Sequence, residues 1–203
     1  MVTPMARRKV EVRREEILAA AEAEVAKRGF AHTRVADVAS ALGVSTALVF
    51  YHFGTKEKLF AAALEYAVNR DLARLDLTVS KATGPVDGVR RVLAMYSPAG
   101  DAYGWTVWVD AWAESLREPE MRSMYLRLDS RWKDVLSEQI RAGVTAGVFQ
   151  CADPDASAWR LSALLDGLAV QVIMHRKLTR KKLREWVLSA AAHELGVTPE
   201  SLA

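Results

Sequence analysis

Apolar residues recur along this chain at intervals of three and four, the spacing that lines one face of an α-helix. No stretch sustains the strict alternation of a half-buried strand, so the pattern predicts an all-α fold. A first helix is expected over about 13–28, with Ile17, Ala21 and Val25 on its buried face and Gly29 ending it. Residues 33–58 read as two short helices joined by a tight turn and followed at once by the start of another. Val38, Leu42, Val44 and Val49 supply the apolar contacts there, and Ala39 is small where the two helices cross. Gly43 falls where the turn needs positive φ, and Ser45 is placed to cap the second short helix.

Longer helices are expected beyond this point. The first follows Thr55 and runs to about Val79, with Leu59, Ala63, Tyr66 and Ala67 as its stripe, and SKATGP ends it. Further helices are expected over about 86–96, 101–117, 120–146, 155–176 and 179–195. The breaks between them hold Pro98 with Gly100, Pro119, and Gly147 with Pro154. The predicted organisation is a basic arm over 1–12, a helix-turn-helix domain over 13–58, and a helical ligand-binding and dimerisation domain over 59–203.

The second short helix has an exposed side carrying Thr46, Ala47, Tyr51 and His52, with no carboxylate among them. A helix of that size with small and hydrogen-bonding residues outward suits the major groove of DNA. Charge agrees with this reading. Residues 1–58 hold 10 Lys/Arg against 7 Asp/Glu, while 59–203 hold 18 of each, so the whole net charge of +3 lies in the first third. Arg7, Arg8, Lys9, Arg13 and Arg14 are the chief contributors, and phosphate contact is the reading preferred over a merely solubilising tail. Residues Arg13, Thr33, Arg34, Ser45, Thr46, Ala47, Tyr51, His52 and Lys56 are the candidate DNA contacts.

These residues resemble a known family. GVSTALVFYHFGTKEKLF is similar to the TetR family's Gly-Val-Ser, its short aromatic recognition helix ending in His-Phe, and its Lys-Glu-x-Leu run; ILAAAEAEVAKRGF followed by Thr33 is similar to its first helix. Arg34 stands where that family often has a second threonine, and Ala47 where it often has glycine. Further along, WTVWVDAWAESL, IRAGVTAGVF and LLDGLAVQ resemble the regulatory domain of the choline-responsive, betaine-pathway repressors. The resemblance implies a homodimeric regulator of transcription, a repressor released by a small-molecule inducer and bound to a palindromic operator in double-stranded DNA. Two reader helices about a two-fold axis then cover half-sites ~34–36 Å apart.

Within the second half, Trp105, Trp108, Trp112 and Leu116 fall on one helical face, and Tyr125, Leu128, Trp132 and Leu136 on another. Plain core packing competes here with lining a ligand cavity. The candidate cavity residues are Trp105, Trp108, Trp112, Tyr125, Leu128, Trp132, Leu165 and Asp166. Aromatic faces suit a neutral apolar ligand and an organic cation alike. The neutral ligand is the first expectation; a buried carboxylate would tip the balance toward a cation. Asp110 and Glu114 are expected to be solvated, whereas Asp166 sits in the apolar run Leu164–Leu168 and is expected to be buried. The expected dimer interface uses Leu161, Leu164, Leu168 and Val172 of the penultimate helix with Leu183, Val187 and Ala190 of the last.

Other chemistry finds little support. There is no nucleophile elbow, no glycine-rich phosphate loop and no cofactor motif, so an enzyme is not expected. His175 and His193 have no cysteine or carboxylate at ligand spacing, and no metal is expected. Nothing approaches the ~18 apolar residues of a membrane span. The single cysteine, Cys151, forms no internal disulfide, which points to a reducing cytoplasm. Arg180, Lys181, Lys182 and Arg184 form a basic cluster at a helix start, a placement the helix dipole does not favour.

Overall fold

The structure, a computed structural model, describes residues 4–98 and 103–202, with side chains described from Arg13 onward apart from Tyr103 and Leu128. Nine α-helices and a short 3-10 turn make up the described residues: α1 Pro4–Arg28, α2 Val35–Leu42, α3 Thr46–Phe53, α4 Lys56–Val79, α5 Pro85–Tyr96, α6 Tyr103–Ser115, α7 Pro119–Thr145, α8 Pro154–Ile173, α9 Arg180–Leu195 and η1 Pro199–Leu202. The chain is all-helical, as the periodicity requires. The first helix begins at Pro4, not near 13, so the expected arm is helical backbone from that residue. The side chains of Arg7, Arg8 and Lys9 lie outside the described residues.

Two compact units emerge. One is formed by the chain up to Asp71 together with Thr106–Leu128, the other by Leu72–Trp105 with the chain from Asp129 onward. The reader helices thus share a unit with the first part of α4 and with parts of α6 and α7.

In the first unit, Ile17, Ala21 and Val25 of α1 are buried with Val38, Val49, Leu59 and Ala63. Arg70 of α4 donates two hydrogen bonds to Glu22 of α1, at 3.0 and 2.7 Å, and Phe30 meets Phe60 edge-on. Gly43 ends α2 in the left-handed region (φ 64), where a side chain would be strained. Ser45 accepts from Leu48 N–H at 3.2 Å and starts α3. Both features are those the sequence predicts.

In the second unit, α8 and α9 pack on each other, and Ala158, Leu161, Leu165, Leu183, Val187 and Ala191 are all buried. Asp153 caps α8 and Thr179 caps α9. Arg160 and Ser157 of α8 both donate to Glu194 of α9, which holds that carboxyl below its usual range.

Candidate functional site

The reader is built from the α1–α2 corner outward. The axes of α2 and α3 differ by 113°, within the range of a helix-turn-helix. Val49 and Phe53 turn inward from α3, which leaves Thr46, Ala47, Phe50 and Tyr51 exposed; Tyr51 is 80% exposed. That outward face is uncharged and free of carboxylates. Arg14 lies over the Phe53 ring of α3 at 4.9 Å, and Lys56, the first residue of α4, lies over the Phe60 ring at 5.4 Å. Arg13 pairs with Glu16 at 2.7 Å, His52 is half-buried against Tyr51, and Arg34 is exposed at the start of α2, where Asp37 accepts from its backbone N–H.

One expected DNA contact is corrected. Thr33 is 0% exposed, and its hydroxyl donates to Gly29 O at 2.7 Å. Its hydrogen bond closes the end of α1 and leaves no surface for a phosphate. Ser45 likewise spends its hydroxyl on the α3 cap while keeping an exposed flank.

The aromatic residues fall into two groups. In the first unit Tyr125 meets Trp108 and Trp112 edge-on, with centroids 5.7 and 6.4 Å apart. Leu116, expected on the same face, is 83% exposed because α6 ends at Ser115 and its stripe ends with it. In the second unit Tyr96 meets Trp105 at 5.7 Å and Trp132 at 5.2 Å, and Trp105 Nε1 donates to Tyr96 O. The Tyr96 hydroxyl donates to Asp166 Oδ1 at 3.1 Å. Trp132 is 7% exposed, and its indole N–H has no hydrogen-bond partner among the described residues. Leu165 is fully buried and presents no surface to a ligand; the Leu128 side chain lies outside the described residues.

Asp166 is half-buried. Burial pushes its carboxyl up to about 6; Asp129 adds to the rise, while the Tyr96 hydroxyl and Lys133 oppose it. Asp129 and Lys133, both buried on α7, form an ion pair, and the Lys133 ammonium also lies 4.3 Å from the centre of the Trp159 ring. With both carboxylates ionised this group carries one uncompensated negative charge among three aromatic rings. Tyr96, Asp129 and Lys133 were missed by sequence reasoning. The opposite charges four residues apart around Trp132 were a readable signal; Tyr96, 70 residues from Asp166, offered none.

Asp110 corrects another expectation. It accepts a hydrogen bond from the Phe30 backbone N–H and is half-buried.

Residues 85–196 match the family described as BetI-type transcriptional repressor, C-terminal, and residues 17–63 match bacterial regulatory proteins of the tetR family. The chain belongs to the TetR family of DNA-binding transcriptional regulators, with a BetI-type C-terminal domain. It is not an enzyme. Among the curated members, the HTH-type transcriptional regulator BetI of Paraburkholderia xenovorans is 30% identical over 166 residues, covering 78% of this chain and 80% of that one. Among solved TetR-like structures, a putative transcriptional regulator from Saccharomonospora viridis in complex with choline has a TM-score of 0.83 at 31% identity, covering 91% and 98% of the two chains. A putative TetR-family regulator from Rhodococcus sp. gives 0.79 at 26% identity, covering 90% and 98%.

Leu161, Leu183 and Val187 are each 1% exposed within this single chain, so they are corrected from dimer contacts to internal packing. Leu164, Leu168, Val172 and Ala190 keep exposed surface, flanked by exposed Ala163, Gly167 and Trp186.

Proposed function

We propose that this TetR-family regulator is a homodimeric repressor that grips a palindromic operator and is released by a small organic cation. The observation that carries the DNA part is the carboxylate-free, exposed face of α3, with Tyr51 outermost. Arg14 and Lys56 flank it as phosphate partners. One eight-residue helix reads too few base pairs for a specific site, so two copies are needed. The small and apolar outer face of α8 and α9, around Leu164, Gly167, Leu168 and Ala190, supports pairing of two chains as a four-helix contact.

The ligand reading reverses the sequence-based preference for a neutral molecule. Asp166 is the half-buried carboxylate that tips the balance, and Tyr96, Trp105 and Trp132 supply aromatic surface beside it. The unpartnered Trp132 N–H favours a cation that also carries an oxygen acceptor. The choline held by the Saccharomonospora viridis relative has that chemistry, a quaternary ammonium with one hydroxyl.

Enrichment of bound duplexes from a random-sequence pool tests the proposal. Recovery of a two-fold symmetric site is expected, and choline chloride, against equal sodium chloride, should lower affinity for it. An asymmetric site, or affinity indifferent to choline, would overturn the corresponding half of the reading.

A further inference from the structure

The second unit contains a groove that plays no part in this scheme. It is a hollow of about 360 Å³ lined by α5, α9 and η1. Its apolar walls come from Leu93, Val187 and Leu202, all essentially buried, with Ala94 and Leu188 nearer solvent. Its rim carries three guanidinium groups, those of Arg90, Arg91 and Arg184. A second hollow, of about 650 Å³, adjoins through the shared Arg90 and Arg91.

Charge at the rim is unbalanced. Among the described residues Asp87 is the carboxylate paired with Arg90 and Arg91, accepting a hydrogen bond from each at 2.5 and 2.7 Å and one from the Thr83 N–H besides. Those contacts hold its carboxyl well below the usual range, so it stays ionised and fixes both guanidiniums. Each still has further N–H donors, and Arg184 adds a third fork from α9. Arg184 belongs to the basic cluster that the helix dipole disfavours at the start of α9, and it lines the groove.

We infer that this groove binds a small amphipathic anion, a carboxylate or phosphate head among Arg90, Arg91 and Arg184 with its apolar body along Ala94 and Leu188, over the buried floor of Leu93 and Leu202. The chemistry is opposite in sign to that of the Asp166 group, and the inference is independent of the proposed inducer.

Calorimetric titration of the full chain with octanoate, octyl phosphate, octanol and octylammonium, in saturating choline, tests this. Octanoate or octyl phosphate should bind once per chain, the stronger naming the head group. Arg184→Gln should weaken it about tenfold, and Leu188→Trp, which fills the wall, should abolish it. Arg180→Gln, in the same basic cluster but outside the groove, should leave it unchanged. Binding of neither anion, equal binding of octanol, or undiminished binding by Arg184→Gln in a folded chain would overturn the inference.

Discussion

The Asp110 carboxylate accepts a hydrogen bond from the Phe30 backbone N–H at 2.5 Å, tying the middle of α6 to the corner at which α1 gives way to α2. At that corner Gly29 has a φ of 81, and a Cβ added there would stand 3.1 Å from Asp110 Oδ2. Thr33 closes the same corner through its bond to Gly29 O. Asp110, Phe30, Gly29 and Thr33 therefore join α6 to the corner from which the reader leaves α1.

Removing the acceptor should be costly. Asp110→Ala leaves the Phe30 N–H with no partner and should lower stability by about 1–3 kcal/mol. Asp110→Asn retains an amide oxygen as acceptor and should lose less. Urea unfolding curves for the two variants check this. Equal stability of the alanine variant and the parent would show that the bond contributes nothing.

At the reader itself, Tyr51→Ala should weaken specific binding by roughly 1–3 kcal/mol while leaving the fold untouched, because the ring is 80% exposed. Lys56→Ala should weaken binding to every duplex about equally and flatten the salt dependence. Fluorescence anisotropy on the enriched site and on a scrambled one separates the two effects. If Tyr51→Ala binds the enriched site with parental affinity, Tyr51 is no base or phosphate contact.

The sequence spoke clearly wherever the determinant was local. Gly43 and Ser45 announced the turn and the cap because both act within four residues of themselves. Thr33 was misread because an exposed threonine and one bonded to the preceding helix end look alike in one dimension. Asp110 and Asp166 accept hydrogen bonds from Phe30 and Tyr96, 80 and 70 residues away, a separation at which periodicity carries no information. On α8 the pattern is apolar on two sides. It could not say that Leu161 and Leu165 turn into the chain while Leu164 and Leu168 keep exposed surface.

That division yields a test of the dimer. Leu168→Asp should place a charge in the contact between copies and give monomers that keep their helical content. Leu161→Ala should instead cost about 2–5 kcal/mol of stability through a cavity, leaving the surviving folded chains paired. Sedimentation velocity with circular dichroism reads both. An intact, DNA-competent dimer of the Leu168→Asp variant would remove this face from the interface.

Asp166 makes ligand binding and stability respond to pH in linked ways. Its carboxyl rises from 3.8 to about 6 on folding, so the folded chain holds the proton more tightly. Stability from this group is therefore full below about pH 4 and falls as pH rises toward 6, by up to about 3 kcal/mol before solvent screening. A bound quaternary ammonium favours the ionised form and should reverse that loss. Choline should then raise the melting temperature at pH 7.5 and much less at pH 5. Its neutral isostere 3,3-dimethylbutanol, with carbon in place of nitrogen, should show no such contrast. Asp166→Asn should show the same choline effect at both pH values and should lose the preference for choline over the isostere. Thermal-shift measurements on the two proteins, two ligands and two pH values suffice. Stabilisation by choline that is equal at pH 5 and 7.5, or unchanged in Asp166→Asn, would mean that this carboxylate is not the cation's partner.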